Sequence, residues 1–316
     1  MTDYPTYDVT DWLVTDVEPA GDDVKYWLLG AAGEAEEQSW LFKEVTIKQI
    51  PAKGGGERRY QQGEDWVEKV SSELAGMVNL PAARVELAGR DGVPGLLSRD
   101  TKPRGWSLHG GGVLLAPIDD RYRPKTESDR RDNRIGHNLD NIEVVLQDVA
   151  PPPGWAAPGG FTSFDLFAGF LLFDAWIANR DRHESNWAVL QAPDGSLFLS
   201  PSFDHGAALG SGIEDPYRRK LLDQPSGVDR WCAGGTAHRF EDCGDVSLVA
   251  LAKSALERAN AAARNHWVQS ITGLDPSEWQ TVINRVPSLS VDAATFTNKL
   301  LEVNQERIRD ECQFDR

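Results

Sequence analysis

The sequence predicts an α+β protein of two lobes, a small β-rich N-terminal lobe with one helix and a larger, mostly helical C-terminal lobe. Three observations support this fold class. Residues 24–100 combine short β-type runs with a single amphipathic helix, residues 164–179 are the most apolar stretch of the chain, and residues 246–313 carry helical periodicity. The predicted lobes are residues 1–104 and 105–316.

The N-terminal lobe is predicted from the order of its elements. "KYWLL" (25–29) and "SWLFKEVTI" (39–47) are rich in β-branched and aromatic residues and flank the turn "GAAGEAEE" (30–37). "GEDWVEKVSSELAGMVNL" (63–80) places apolar residues three and four apart, which is typical of an amphipathic helix. Two further strands, "ARVELAG" and "GVPGLLSRD", follow this helix. The order strand, strand, helix, strand, strand is that of a small lobe.

The C-terminal lobe is predicted to surround a buried helix. Thr162 and Asp165 have the spacing of a capping box at the start of "FDLFAGFLLFDAWIAN", which is apolar nearly all round. "NWAVLQ" and "LFLSPSFD" flank an Asp-Gly turn and predict a β-hairpin. Residues 119–160 are expected to be rich in loops, and further helices are predicted at 246–270, 276–286 and 291–313.

Composition excludes several kinds of partner. The chain has 33 basic and 49 acidic residues and a net charge of −16, which argues against nucleic acid and against an anionic membrane as partners. The three cysteines form no CxxC pair, so neither a disulfide framework nor a zinc site is indicated. No apolar run has the length of about eighteen residues needed to span a membrane, and the start lacks the pattern of a signal peptide. We expect a cytoplasmic protein.

Three oxygen-bearing side chains are predicted to meet at one end of the hairpin. Asn186 begins its first strand and Asp204 ends its second, and an antiparallel hairpin brings those two ends together. Asp181 lies five residues before Asn186, in the loop that leaves the buried helix. Mg²⁺ is commonly held by one or two such side chains together with substrate phosphates. A further carboxylate that is free of the metal can accept a proton from an attacking hydroxyl group. The pattern therefore indicates phosphoryl transfer.

The same residues permit other interpretations. Asp181 and Asn186 are also common in turns between a helix and a strand. A metal-dependent phosphohydrolase could use Asp181, His183, Asp204 and His205 as ligands. For His183 and His205 we favour a structural role, whereas Arg182 could contact either a phosphate or a neighbouring carboxylate.

The motifs "DRHESN" (181–186) and "FDHG" (203–206) resemble the catalytic and metal-binding segments of the HipA-like kinases and of the related phosphatidylinositol kinases. The resemblance is close over residues 160–210 and weaker over 40–100. It implies a two-lobed protein-kinase-like fold that binds ATP and Mg²⁺. It also implies a protein substrate with a Ser or Thr hydroxyl group, and autophosphorylation is an option.

The resemblance also implies roles for individual residues in the large lobe. Asp181 takes the position of the catalytic base and Asn186 that of a Mg²⁺ ligand. Asp204 takes the position of the second metal-binding residue. Nucleotidyl transfer, in which AMP is moved instead of phosphate, would use the same residues. A catalytically idle nucleotide-binding module is a further alternative, although the set is intact.

In the small lobe, Lys43 in "WLFKEV" matches the strand lysine that holds the α- and β-phosphates. Glu68 is the expected ion-pair partner of Lys43, with Glu64 and Glu73 as alternatives. The segment "GLLSRD" matches the strand that leads into the hinge between the lobes. The cofactor-binding residues predicted there, next to the adenine ring, are Ser98, Arg99 and Asp100. The turn "GAAGEAEE" would place two glutamates near the phosphates.

Overall fold

Strands from the first hundred residues form one six-stranded sheet. The computed structural model describes residues 2–17, 25–30, 39–51, 57–123, 134–156, 158–287 and 289–314. The elements of the N-terminal part are β1 (Thr6–Asp8), β2 (Leu13–Val17), β3 (Lys25–Leu29), β4 (Ser39–Glu44), β5 (Ile47–Pro51), β6 (Glu57–Gln61), α1 (Glu64–Met77), β7 (Val85–Arg90) and β8 (Val93–Arg99). The sheet order is β1-β7-β8-β4-β3-β2, and β5 pairs with β6 in a separate ribbon. Strand β1 is parallel to β7, and the other neighbouring strands are antiparallel.

The two faces of this sheet contact different parts of the protein. One face carries Leu28, Phe42 and Leu97, which pack with Val9 into a small core. Because side chains alternate along a strand, Lys43 points to the opposite face. Helix α1 packs against β7 and β8, and its apolar residues belong to the main core of the protein. The sheet thus presents one charged side chain of β4 toward the rest of the molecule.

The C-terminal part is mostly helical. Its elements are β9 (Ser107–Gly110), α2 (Gly111–Leu115), α3 (Leu139–Leu146), α4 (Ser163–Trp176), β10 (Ala188–Gln191), β11 (Leu197–Leu199), α5 (Asp215–Asp223), α6 (Gly227–Ala233), α7 (Leu248–Arg258), α8 (Ala261–Thr272), α9 (Pro276–Ile283) and α10 (Val291–Glu311). Strands β11, β10 and β9 form a small sheet in that order. Helix α4 is buried along its whole length, and α7, α8 and α10 pack around it. Over the described ranges, no helix combines the length and apolar character needed to cross a membrane.

The α+β fold class is confirmed, with differences in detail. Strands β1 and β2 were not predicted, because they are short and mostly exposed. Helix α3 lies inside the region 119–160 that was expected to be rich in loops. The helix predicted at 246–270 is two helices, because the side chain of Asn260 caps α8 through the amide of Ala263. Asn260 also donates from its backbone amide to Asp165 Oδ1 at 2.7 Å.

Candidate active site

Lys43 joins α1 to the segment that follows the hairpin. Its Nζ atom lies 2.9 Å from Glu68 Oε1 and 2.7 Å from Asp204 Oδ1. The Lys43 and Glu68 side chains are 14% and 4% exposed, whereas the Asp204 side chain is 39% exposed. The two alternative partners contact other residues. Glu64 accepts a hydrogen bond from Thr46, and Glu73 pairs with Lys69.

The charges of this triad support one another. Burial lowers the pKa of the Lys43 ammonium, but the charges of Asp204 and Glu68 outweigh burial and raise this pKa above its ordinary value. The Lys43 charge holds the pKa of the Asp204 carboxyl well below its usual range, against the effect of burial. Burial raises the pKa of the Glu68 carboxyl, and the Lys43 charge opposes that rise. At neutral pH the site therefore holds an ammonium ion against an ionised Asp204.

Strand register places Lys25 directly opposite Lys43. Lys25 is the first residue of β3, and Val17, the last residue of β2, pairs with the residue after Lys25. Leu29 and Ser39 pair at the other ends of β3 and β4. The turn 30–37, which was expected near the phosphates, lies outside the described residues apart from Gly30, and so does the connection 18–24.

The polar loop after α4 is built on a buried ion pair. Arg182 donates from Nε to Asp174 Oδ2 at 2.7 Å and from Nη2 to Asp174 Oδ1 at 2.8 Å. Asn179 donates to the same carboxylate at 2.8 Å. Both charged side chains are 3% exposed, so Arg182 contacts a carboxylate and is remote from solvent. A single Ala178 in the left-handed conformation (φ 54°) ends α4 and turns the chain into this loop.

Within the loop, Asn186 and Asp181 are joined through the backbone. Asn186 donates from Nδ2 to the carbonyl oxygen of Asp181 at 2.8 Å, so its amide oxygen Oδ1 is the atom that a metal ion could take. The Asp181 side chain is 29% exposed, and its Oδ1 atom lies 2.5 Å from Nη2 of Arg239. Its Oδ2 atom lies 3.9 Å from His183 Nε2. The His183 ring also accepts a hydrogen bond from the amide of Ser185.

His205 ties the segment containing Asp204 to the polar loop. Its Nε2 atom lies 2.8 Å from Ser202 Oγ and 3.3 Å from Arg182 Nη2. Asp204 itself has a left-handed backbone (φ 61°), a conformation that Asp tolerates better than most residues. The contact between His205 and Arg182 thereby connects the segment of Asp204 to the loop of Asp181. Burial lowers the pKa of His183, and the charges of Asp181, Glu184 and Asp204 oppose that effect.

His205 has a structural setting. His205 is buried, its ring packs edge-on against Phe173, and burial lowers its pKa to about 3. Its Nε2 atom contacts Ser202 and Arg182. Within the part of the chain that the structure describes, no group of three or more His, Cys, Asp or Glu side chains is placed to hold a metal ion.

The donor atoms that remain fit magnesium. Asp204 contacts Lys43 through Oδ1, which leaves Oδ2, and Asn186 offers its amide oxygen. Mg²⁺ usually takes one or two protein oxygen ligands and completes its shell with phosphate oxygens and water. Two oxygen ligands match that preference, and Asn186 would supply its ligand from a buried position.

The predicted adenine contacts lie where β8 leaves the sheet. Ser98 has a paired strand on each side. The amide of Arg99 donates to the carbonyl of Arg84 at 2.9 Å, and the amide of Asp100 donates to the carbonyl of Ser39 at 2.9 Å. These two amides are therefore engaged within the protein. A cavity of about 640 Å³ opens beside them, and its lining includes Leu29, Arg99, Asp100, Thr101 and Lys102.

Two residues of the site were not predicted from the sequence. Asp174 is a charged residue inside an otherwise apolar helix, and such a residue needs a buried partner, which was a usable signal. Arg239 lies 58 residues after Asp181 in an irregular segment between α6 and α7, where neither periodicity nor a motif marks it.

The sheet, α1 and the polar loop are arranged as in a two-lobed kinase fold, and comparison with solved structures agrees. The proinflammatory kinase CtkA of Helicobacter pylori matches with a TM-score of 0.70 and 15% identity, over 98% of this chain and 97% of that chain. HipA of Shewanella oneidensis MR-1, from a toxin–antitoxin complex with HipB and operator DNA, matches with a TM-score of 0.56 and 13% identity, over 98% of this chain and 67% of that chain. No protein-family model and no curated protein sequence matches the chain. The fold is that of the HipA-like kinases.

Proposed function

We propose that this chain is an ATP-dependent phosphotransferase, and specifically a HipA-like serine/threonine protein kinase. ATP and Mg²⁺ would bind between an N-lobe of residues 1–104 and a C-lobe of residues 105–316. The observation that carries the proposal is the Lys43 ammonium, which bridges Glu68 of α1 at 2.9 Å and Asp204 at 2.7 Å. This is the combination of cation and carboxylates that holds phosphates and metal in kinases.

Each residue of the cleft has a separate task in this proposal. Lys43 binds the α- and β-phosphates of ATP, and Glu68 orients the ammonium group. Asn186 and Asp204 would hold Mg²⁺, and the ion would supply positive charge next to the phosphates. The adenine ring lies at the cavity beside the hinge, against the backbone that follows Asp100.

Asp181 acts on the substrate. The hydroxyl oxygen of a Ser or Thr side chain attacks the γ-phosphorus, the bond from that phosphorus to the bridging oxygen of ADP breaks, and the hydroxyl proton passes to the Asp181 carboxylate. The 29% exposure of the Asp181 side chain supports this role, since Oδ1 is buried against Arg239 and leaves Oδ2 as the atom for the substrate. His183 Nε2 lies 3.9 Å from Oδ2.

The test is to incubate the purified chain with Mg-ATP and to measure its intact mass and its transfer of phosphate to a pool of Ser- and Thr-containing peptides. Asp181→Asn should lower transfer by about 10²–10⁴-fold, the range for loss of a catalytic acid or base. Asp204→Asn should also lower transfer, because it removes the charge of a metal ligand. Asp310→Asn, on the exposed face of α10, is the matched control and should transfer at the rate of the unchanged protein.

Other results would redirect the assignment. A mass gain equal to AMP, lost in the Asp204→Asn variant, would establish nucleotidyl transfer in place of phosphoryl transfer. If the unchanged protein neither transferred phosphate nor bound Mg-ATP by calorimetry, the kinase assignment would be wrong.

A further inference from the structure

Arg239 contacts the proposed catalytic base but leaves hydrogen-bonding capacity unused on both sides. Its Nη2 atom is 2.5 Å from Asp181 Oδ1, yet the two groups are not aligned for a hydrogen bond. Asp181 Oδ1 and Arg239 Nε are both buried atoms without a hydrogen-bond partner among the described residues. Buried groups of this kind are usually satisfied. The unsatisfied Oδ1 and Nε atoms indicate that a further hydrogen-bonding group would bind here.

The backbone at Arg239 is fixed by a buried histidine. His137 is 1% exposed, and its Nε2 atom accepts a hydrogen bond from Trp187 Nε1 at 3.1 Å. Nδ1 of the neutral ring must then carry the proton, and it donates to the carbonyl oxygen of Arg239 at 2.7 Å. The ring of Phe240 lies 4.4 Å from the His137 ring. The guanidinium group therefore extends from an anchored backbone.

More positive charge lies on the same side of Asp181. Arg180 is exposed, and a Cβ atom added at Gly235 would lie 3.9 Å from its Cδ atom, so its side chain extends toward the segment of Arg239. Arg180 and Arg239 thus supply two guanidinium groups near the base. Guanidinium groups bind carboxylates and phosphates through paired hydrogen bonds.

We propose that Arg239, with Arg180, recognises an acidic group on the protein substrate, so that the kinase phosphorylates a Ser or Thr beside an Asp or Glu. This inference rests on the proposed function. A neutral hydroxyl group that displaced Arg239 from Asp181 would leave a partly buried guanidinium without its partner, which is unfavourable. A substrate carboxylate would take over the guanidinium as Asp181 turns to the hydroxyl. Arg239 thus acts as a specificity-determining residue.

The anion that meets Arg239 has a second candidate source, the γ-phosphate of ATP. The two sources predict different kinetics for Arg239→Gln. Loss of a phosphate contact lowers transfer to all peptides by the same factor. Loss of a substrate contact lowers transfer to acidic peptides alone and removes the preference among peptides.

The experiment uses the full chain with Mg-ATP and a positional-scanning library of peptides that have Ser or Thr at the centre. Each flanking position is fixed in turn as Glu, Gln or Lys. We expect at least one position at which Glu raises kcat/KM about tenfold over Gln in the unchanged protein. In Arg239→Gln this ratio should fall to about one, and in Arg239→Glu the Lys peptide should become the better substrate.

Arg258→Gln is the matched control. It removes one positive charge from an ion pair with Asp140 and Glu143 at the C-terminal end of α7, and it should keep the tenfold ratio. Transfer by the unchanged protein without any Glu preference would overturn the substrate inference and leave the kinase assignment intact. An unchanged ratio in Arg239→Gln, with all rates lowered equally, would overturn it in favour of γ-phosphate binding. Absence of transfer to every pool would overturn the substrate inference, and absence of Mg-ATP binding by calorimetry as well would overturn the kinase assignment.

Discussion

Lys43 is the residue whose replacement separates stability from activity most clearly. Lys43→Met leaves Glu68 buried without its cation, and breaking a buried pair costs about 3 kcal/mol of unfolding free energy. The double variant Lys43→Met/Glu68→Gln removes the orphaned charge and should recover most of that stability. Phosphate transfer should be lost in both variants. Urea unfolding and peptide phosphorylation measure the two effects, and a double variant no more stable than Lys43→Met would contradict the buried-charge explanation.

His137 makes the unfolding free energy depend on pH. Burial lowers its pKa from an ordinary value of 6.5 to about 4, so the folded protein binds this proton less readily than the unfolded chain. The contribution of His137 to the unfolding free energy is about 3 kcal/mol. It is fully present above pH 6.5 and is lost as the pH falls toward 4. His137→Asn keeps a donor for the Arg239 carbonyl but does not titrate. Urea unfolding at pH 7, 5.5 and 4.5 should show a flatter dependence in this variant, and equal slopes would refute the assignment.

At the scale of elements, two helices respond in opposite ways to the same substitution. A Cβ atom at Gly169 in α4 would lie 2.4 Å from the indole ring of Trp267, which is itself buried. Gly169→Ala should therefore lower the unfolding free energy by about 1–3 kcal/mol through overpacking. At Gly76 in α1 a Cβ atom would meet nothing within 4 Å. Gly76→Ala should raise the unfolding free energy by about 0.5–1 kcal/mol.

These glycine variants are each other's controls, since both replace one helical glycine. Thermal melting of the two proteins in parallel gives the sign of each effect directly. A stabilised Gly169→Ala protein would mean that α4 and α8 can move apart, contrary to the packing of Trp267 against α4.

The helices and strands that could be predicted are those whose own residues carry a capping motif or a hydrophobic pattern. Helix α4 has both a capping box and a continuous apolar run, and β3 coincides with the five residues "KYWLL". Strand β1 has only three residues and depends on β7 for its pairing. The break between α7 and α8 depends on Asn260, whose bond to the distant Asp165 has no local signature. Contacts between remote segments decide such cases.

At the scale of the whole molecule, Mg-ATP should stabilise the protein against heat. A ligand at a hundred times its dissociation constant adds about 2.7 kcal/mol to the unfolding free energy, provided that it binds only the folded state. In the unchanged protein, Mg-ATP should raise the melting temperature more than ATP without Mg²⁺ does. Asp204→Asn should make this difference smaller. Asp310→Asn, which changes a remote exposed carboxylate, should show the full rise. A melting temperature that does not respond to Mg-ATP in the unchanged protein would contradict nucleotide binding.

The candidate site was predictable to the extent that it is encoded in short motifs. Asp181, Asn186 and Asp204 follow from two motifs and one hairpin, and Lys43 and Glu68 from a strand and the next helix. Arg239 could not be found in this way, because its position depends on His137 and Phe240, which come from different segments of the fold.

The bond from Lys43 to Asp204 has a consequence for the order in which ligands enter the cleft. Without nucleotide, Oδ1 of Asp204 contacts an ammonium group of the protein itself, and Oδ2 is the oxygen left for a metal ion. Free Mg²⁺ would then meet a carboxylate whose charge Lys43 already neutralises, whereas the phosphates of ATP would draw Lys43 away from Asp204. Mg²⁺ and nucleotide should thus bind with positive cooperativity, so that each binds more weakly alone than in the presence of the other. In the protein without ligands, the Lys43 ammonium group neutralises the Asp204 carboxylate, as a metal ion would in the complex.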